Sequence, residues 1–412
     1  MTDVTAIRDN NLTASYLVER PIVSFGLSVY AFAITDTPAE SAEPALIYTK
    51  SNDGGDTFGD PIVLATAVAG GGINGAAIYY DRWTRGNTGT KIHIVFPRRN
   101  SSGVFYTSIE TLTDVQGPFV TIFSGVAAST VARHTCSICV TAGGNILVPW
   151  VLPIAIANQG MARSVDNGGS FSARISPWNA DSPAGAIDDH LIITPANSGD
   201  PNDADIYFFD ESGQTVVLRQ YRDATNTLDA DVTIDATVAI TNPDTPFMHA
   251  CHDHADGTTI FGLRDGPINV AHDFTIRRIN GGASIVSLPN AYTAQTNRMG
   301  TGLCINNQTG DIYAAWNDSI TPFSVQRNFI AKLPFGAGSF DAEIQNSTTD
   351  RDYNDIWLPT SIGGAGGTVL GLTHEQTGGQ IHYVNPDNSV EIAEAPDIPG
   401  GPVASQQKLL LL

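Results

Sequence analysis

The residues of this 412-residue chain that could do chemistry fall into two sets. The first comprises His134-Thr135-Cys136 and His249-Ala250-Cys251, each with an imidazole two residues from a thiol; Cys139, His252 and His254 follow just beyond. Imidazole and thiolate together hold zinc or a related transition metal when four of them converge. In an extended strand, however, alternate residues share a face, so His249 and Cys251 point one way while His252 and His254 point the other. The sequence is therefore read as having buried free thiols, no metal and no cofactor. The second set is Arg133, His134, Asp189, His249, Arg298 and Tyr353. Each stands at or just before an apolar run. Guanidinium and imidazole bind anions, and a ring of Arg, His, Asp and Tyr at one mouth would hold a small ligand or a glycan.

These residues can converge only if the runs they open are equivalent elements of one repeating fold. Apolar runs rich in Thr, Ile, Val and Tyr start near Ile22, Ile73, His134, Asp189, His249, Met299 and Tyr353. The spacing, roughly fifty to sixty residues, is that of a four-stranded propeller blade. Helical periodicity is absent. The expected architecture is all-β, a β-propeller of four-stranded antiparallel blades over 22–395. Seven blades are preferred; six would result if one unit is an insertion or if the ends share a closing blade. Residues 1–21 form an N-terminal segment that could supply a closing strand. Residues 396–412 read as a Pro/Gly linker and an apolar tip, Leu409, Leu410, Leu411 and Leu412, that docks on another subunit or folds back.

Two stretches punctuate the units: Ser51-Asn52-Asp53-Gly54-Gly55-Asp56-Thr57-Phe58 and Ser164-Val165-Asp166-Asn167-Gly168-Gly169-Ser170-Phe171. Both read S-x-D-x-G-x-[ST]-F. The Asp can accept N–H groups of its own turn, Gly55 and Gly168 can take positive φ, the hydroxyls tie the flanks, and Phe58 and Phe171 can plug a sheet. The pair resembles the Asp-box of bacterial neuraminidases and other propellers, which implies a sialidase-like fold and a structural role for these ten residues.

The closing run Asp352-Tyr353-Asn354-Asp355-Ile356-Trp357-Leu358-Pro359, with Gly371-Leu372-Thr373-His374-Glu375, is similar to the last blade of sialidases. That resemblance implies Tyr353 as nucleophile and Arg298 as carboxylate holder, with His249 beside them. Glu19-Arg20-Pro21-Ile22-Val23 stands where a sialidase would carry an Arg-Ile-Pro motif, and Asp81 is only positionally an acid. Polysaccharide lyases built on propellers use His, Tyr and Arg, which His134, His249 and Tyr353 supply by type. A third resemblance, over Ala77–Thr84, 88–94 and 104–108, is to sialidase-like propellers encoded by bacteriophages, and it implies a place in a particle.

Net charge is −21, which disfavours nucleic acid and anionic membrane as partners. No run approaches the ~20 apolar residues of a membrane span, and no export signal opens the chain. The expected function is a non-enzymatic bacteriophage virion protein, made in the host cytoplasm and attached to other virion proteins through its tail. It would display a propeller able to bind host-surface glycans. The alternative is a sialidase-like glycoside hydrolase or polysaccharide lyase acting at the channel mouth.

Overall fold

The computed structural model describes residues 4–8, 17–35, 45–66, 72–73, 75–98, 103–124, 135–151, 159–173, 190–210, 214–236, 248–266, 271–280, 284–295, 298–321, 325–345, 353–362, 371–375 and 380–384. Strands β1 (Val4–Arg8) and β2 (Leu17–Glu19) precede the first blade. That blade holds β3 (Ile22–Phe25), β4 (Ser28–Thr35), β5 (Ala45–Ser51) and β6 (Ile62–Ala65). The second holds β7 (Gly75–Tyr80), β8 (Lys91–Arg98), β9 (Gly103–Glu110), β10 (Val115–Gln116) and β11 (Val120–Ser124). The third holds β12 (Thr135–Cys136), β13 (Cys139–Val140), β14 (Ile146–Val151) and β15 (Gln159–Ser164). The fourth holds β16 (Leu191–Pro195), β17 (Ala204–Asp210), β18 (Thr215–Arg222), β19 (Thr227–Leu228) and β20 (Val232–Asp235).

The fifth holds β21 (Met248–His252), β22 (Thr259–Arg264), β23 (His272–Asn280), β24 (Ser284–Ser287) and β25 (Tyr292–Gln295). The sixth holds β26 (Arg298–Asn306), β27 (Ile312–Thr321), β28 (Val325–Leu333) and β29 (Ile344–Gln345). Strands β30 (Tyr353–Trp357), β31 (Ser361–Ile362), β32 (Gly371–Glu375) and β33 (Gln380–Val384) end the described chain.

Six sheets are each laid down by one consecutive stretch, with a short parallel strand added to two of them. A further sheet is shared by both ends, in the order β1-β33-β32-β30. Its first strand comes from the N-terminal segment, with Val4 opposite Tyr383 and Arg8 opposite Gln380. First strands of successive sheets touch in turn: β3 with β7, β7 with β12, β12 with β16, β16 with β21, β21 with β26 and β26 with β30. That circuit of inner strands is a propeller.

Inner and central strands face protein on both sides, which is why their sequences are unbroken apolar runs. Every residue of β7 (GAAIYY) and of β14 (ILVPWV) is buried. The outer strand β11 (VTIFS) has no fully buried residue. The core accordingly lies between blades rather than at one centre. Phe25 of the first blade stacks on Tyr80 of the second at 5.0 Å, and Tyr207 of the fourth on Phe261 of the fifth at 4.7 Å. Each such buried aromatic contributes about 1.5–3 kcal/mol by leaving water. No helix among the described residues is long and apolar enough to cross a membrane.

Both S-x-D-x-G-x-[ST]-F stretches fold in the same way. The Ser51 hydroxyl donates to Asp53 Oδ1 at 2.6 Å and accepts Gly55 N–H at 2.8 Å. Asp53 accepts the Thr57 N–H and hydroxyl at 2.9 and 2.5 Å. In the second turn Ser164 donates to Asp166 at 2.7 Å, Gly168 N–H reaches Ser164 at 2.9 Å, and Ser170 gives Asp166 two bonds at 2.9 and 2.6 Å. Gly55 and Gly168 have φ of 100° and 86°. At Gly168 a Cβ would also lie 2.4 Å from the Tyr106 hydroxyl, so the side chain is excluded twice over. Phe58 and Phe171 are both half-buried, and Phe171 packs on Tyr106 at 5.2 Å, joining the third blade to the second.

Candidate functional site

The axis of the ring is occupied by a segment that the blade pattern alone does not reveal. Strand β2 runs parallel to the inner strand β7, with Leu17 opposite Gly75 and Glu19 opposite Ala77. It is followed by Arg20, whose φ of 56° is left-handed, a costly setting for a residue other than glycine. The side chain repays that strain with contacts no other position could make. Its guanidinium donates to the carbonyl of Ile138 at 3.0 Å and to that of Ile193 at 2.8 Å, which belong to the third and fourth blades. It also lies 5.3 Å over the Tyr79 ring and 3.1 Å from Glu19. Arg20 is thus a strut between three blades.

Glu19 accepts the Ser137 hydroxyl at 2.8 Å through one carboxylate oxygen; the other has no partner. Burial raises the Glu19 pKa to about 7, against the lowering effect of Arg20 and of the Ser137 bond. A carboxyl in that state exchanges a proton near neutrality.

His190, His249 and Arg264 complete the axial group. Burial, followed by the charges of His190, Arg264 and Arg20, pulls the His249 pKa to about 3. Burial, Arg20 and Arg264 bring His190 to about 4. Both residues are half-buried. His249 Nε2 contacts Thr301 Oγ1 at 2.9 Å, in the next blade. At neutral pH this axial group holds two guanidiniums and neutral imidazoles beside Glu19, whose pKa burial raises. The group is net positive inside a chain of charge −21. Fixed positive charge in a low-dielectric setting attracts an anion.

The 3₁₀ turn Asp81–Trp83 carries Trp83 inward, and the ring is fully buried. Its carbonyl accepts His254 Nε2–H at 3.2 Å from the fifth blade. The Thr84 hydroxyl donates to the Val140 carbonyl of the third blade.

Asp81, His93 and Tyr106 form a chain that has the shape of a catalytic relay. His93 contacts Asp81 Oδ1 at 2.9 Å and Tyr106 at 2.7 Å. The carboxylate accepts Nε2–H, which leaves Nδ1 to accept the Tyr106 hydroxyl. All three are buried between the second and third blades, and burial pushes the Tyr106 hydroxyl well above its ordinary pKa. Asp81 also accepts Lys91 N–H at 2.9 Å, and its pKa is lowered: burial opposes this, but His93 outweighs it. The relay packs the blades.

Of the residues that the sequence singled out, His249 belongs to the axial group. Arg298 and Tyr353 open the inner strands β26 and β30, with Tyr353 directly opposite Glu375 in the β30–β32 register. Arg133, His134 and Asp189, like the tip Leu409–Leu412, lie outside the described residues. Arg20, which stands where the Arg-Ile-Pro motif was expected, spends its guanidinium on carbonyls. Among the described residues, which leave out His134, no three His, Cys, Asp or Glu side chains come together for a metal. Cys251 donates to the Leu303 carbonyl at 3.5 Å and Cys136 to that of Val95 at 3.7 Å, and burial pushes the Cys251 thiol up to about 12. Arg264 and Glu19 are the residues sequence reasoning missed. The signal for Arg264 was an arginine ending the otherwise apolar run Thr259–Arg264.

Neither a protein-family model nor a curated protein sequence matches the chain. Solved structures do resemble it. An ulvan lyase of polysaccharide lyase family PL25, bound to -[GlcA(1-4)Rha3S]-, aligns over 93% of this chain and 96% of its own, with 11% identity and a TM-score of 0.55. The phage phi92 endosialidase aligns over 97% of this chain and 71% of its own, at 11% identity and a TM-score of 0.50. The hydrazine synthase of Kuenenia stuttgartiensis aligns over 92% and 97%, at 7% identity and a TM-score of 0.51. The chain has the β-propeller fold of these proteins. Three chemistries on one scaffold at such identities show the fold alone.

Proposed function

We propose that this protein is a non-enzymatic glycan-binding propeller of a bacteriophage particle, which binds an acidic sugar at the axial group. The observation that carries this reading is the grouping of the cationic Arg20 and Arg264 with the half-buried His190 and His249 in a strongly acidic chain. A carboxylate or sulfate there gains charge-assisted interactions that water does not compete for. Likeness in fold to a phage endosialidase and to a lyase solved with a uronate-containing ligand supports a glycan as the occupant. Attachment to other virion proteins through 396–412, with Leu409 to Leu412 as the docking tip, belongs to the same proposal, as does the Asp-box identity of the two turns.

Quantitative mass spectrometry of purified particles tests the virion role. A fixed ratio to the major capsid protein is expected, with loss of that ratio on truncation at Pro396. Absence from particles would defeat it.

A second reading, a glycoside hydrolase or lyase, is favoured by one pair of observations: the Tyr353–Glu375 register and a Glu19 that titrates at about 7. It predicts turnover of an acidic glycan with a pH limb near 7 that Glu19→Gln removes, and loss of turnover in Tyr353→Phe. A screen that detects no turnover while binding persists leaves the first reading standing alone.

A further inference from the structure

Among the described residues Arg98 forms no ion pair with a carboxylate, unlike five other arginines of the blades. Arg163, Arg219, Arg222, Arg277 and Arg278 each hold a carboxylate at 2.5–3.0 Å. The Nε of Arg98 has no hydrogen-bond partner, and burial is the one influence that lowers its pKa, so no carboxylate stands close. Its guanidinium instead lies over three rings: Phe105 at 4.7 Å, Phe96 at 5.5 Å and Phe119 at 5.9 Å. Phe119 is itself 50% exposed.

Register explains the cluster. Phe96 pairs with Phe105, and Arg98 with Gly103, so Arg98, Phe96 and Phe105 share one face of the second blade. The same face carries Tyr80, which stacks on Phe25 of the first blade. A Cβ on Gly103 would meet the Phe105 ring at 2.9 Å, and the missing side chain leaves room for that ring under the cation. Arg98 ends β8 beside Ile73, just ahead of the inner strand β7. It therefore stands at the end of the blade where the inner strands begin, off the axis.

A half-buried cation without an anion is costly in an acidic protein that has carboxylates to spare, and aromatic faces hold it only in part. We propose that the half-exposed Arg98–Phe119 cluster of the second blade is a second glycan subsite, in which Arg98 binds a carboxylate or sulfate of an acidic polysaccharide and the Phe119 ring stacks against its sugar. This rests on the glycan-binding reading of the axis and extends it: a chain lying from the axis outward would meet two cationic points.

The test is calorimetric titration of the full chain with dextran sulfate, polygalacturonate and neutral dextran. Wild type is expected to bind either or both polyanions and not neutral dextran. Arg98→Gln and Phe119→Ala should each weaken that binding about tenfold or more, as expected for a lost charge-assisted contact. Phe119 is exposed enough that its substitution tests the site even if Arg98→Gln unfolds. Polyanion binding unchanged in both variants overturns the proposal, and if His249→Gln weakens it in the same series, the axial reading survives alone. Loss of binding in the Arg98 and Phe119 variants, with His249→Gln neutral, supports the cluster and overturns the axis. No binding of any polyanion by wild type overturns both.

Discussion

Asp53 and Asp166 each collect a hydroxyl from two residues before and a hydroxyl and N–H from four residues after. Those bonds favour the charged form and hold both pKa values at about 2; at Asp53 they overcome an opposing burial effect, and at Asp166 the Ser170 hydroxyl leads. A depressed carboxylate adds stability that is complete above its unfolded value, about 4, and is lost as pH falls through 2. Asp166→Asn should therefore melt below wild type at pH 6, with the gap closing between about pH 4 and 2. A gap that does not change with pH would mean the turn owes nothing to the carboxylate charge. Arg20 presents the stronger case. Arg20→Leu strands Glu19 and the carbonyls of Ile138 and Ile193, a loss of about 3–5 kcal/mol of the kind seen when one partner of a buried pair is removed. Chemical denaturation measures it, and a loss below about 1 kcal/mol, typical of an exposed pair, would show that the strut is not structural.

At the level of elements, the inner strands start at Ile22, Gly75, Thr135, Leu191, Met248, Arg298 and Tyr353, within two residues of the positions expected from the apolar runs. That much was legible because inner strands are buried on both faces and their sequences say so. Strand β2 was not legible. Three residues, Leu-Val-Glu, carry no period, and only the space inside the ring makes a parallel strand beside β7 worthwhile. Nor was Glu19-Arg20 readable as a strut, since both residues look like solvated charge until two blades supply carbonyls. His249 was found because it opens an inner strand; Arg264 was overlooked because it closes a second strand, a position that reaches the axis only through neighbouring blades. The closing sheet makes its own prediction. Strand β1 provides its outer edge by pairing with β33, so deletion of residues 1–8 should leave β33 with an unpaired edge and lower the melting temperature. The variant is also expected to self-associate in sedimentation experiments. An unchanged melt would mean that the ring is held by the blade interfaces without that strand.

The whole molecule combines a net charge of −21 with a cationic group on its axis. These two scales pull an acidic glycan in opposite directions. On the proposed reading, long-range repulsion slows its approach and the local field captures it once it is inside about a Debye length. The propeller makes the arrangement possible because its inner strands bring together residues distant in sequence. The same scaffold serves unrelated chemistries, so the axial group and not the fold carries the functional claim. The measurement that tests it most directly is nuclear magnetic resonance of the nine histidine rings during titration with a glucuronate-containing oligosaccharide. The account predicts saturable shifts at His190 and His249, both on neutral rings at pH 7, with the buried His93 and His272 still. Shifts confined to other histidines, or none at saturating ligand, would contradict it.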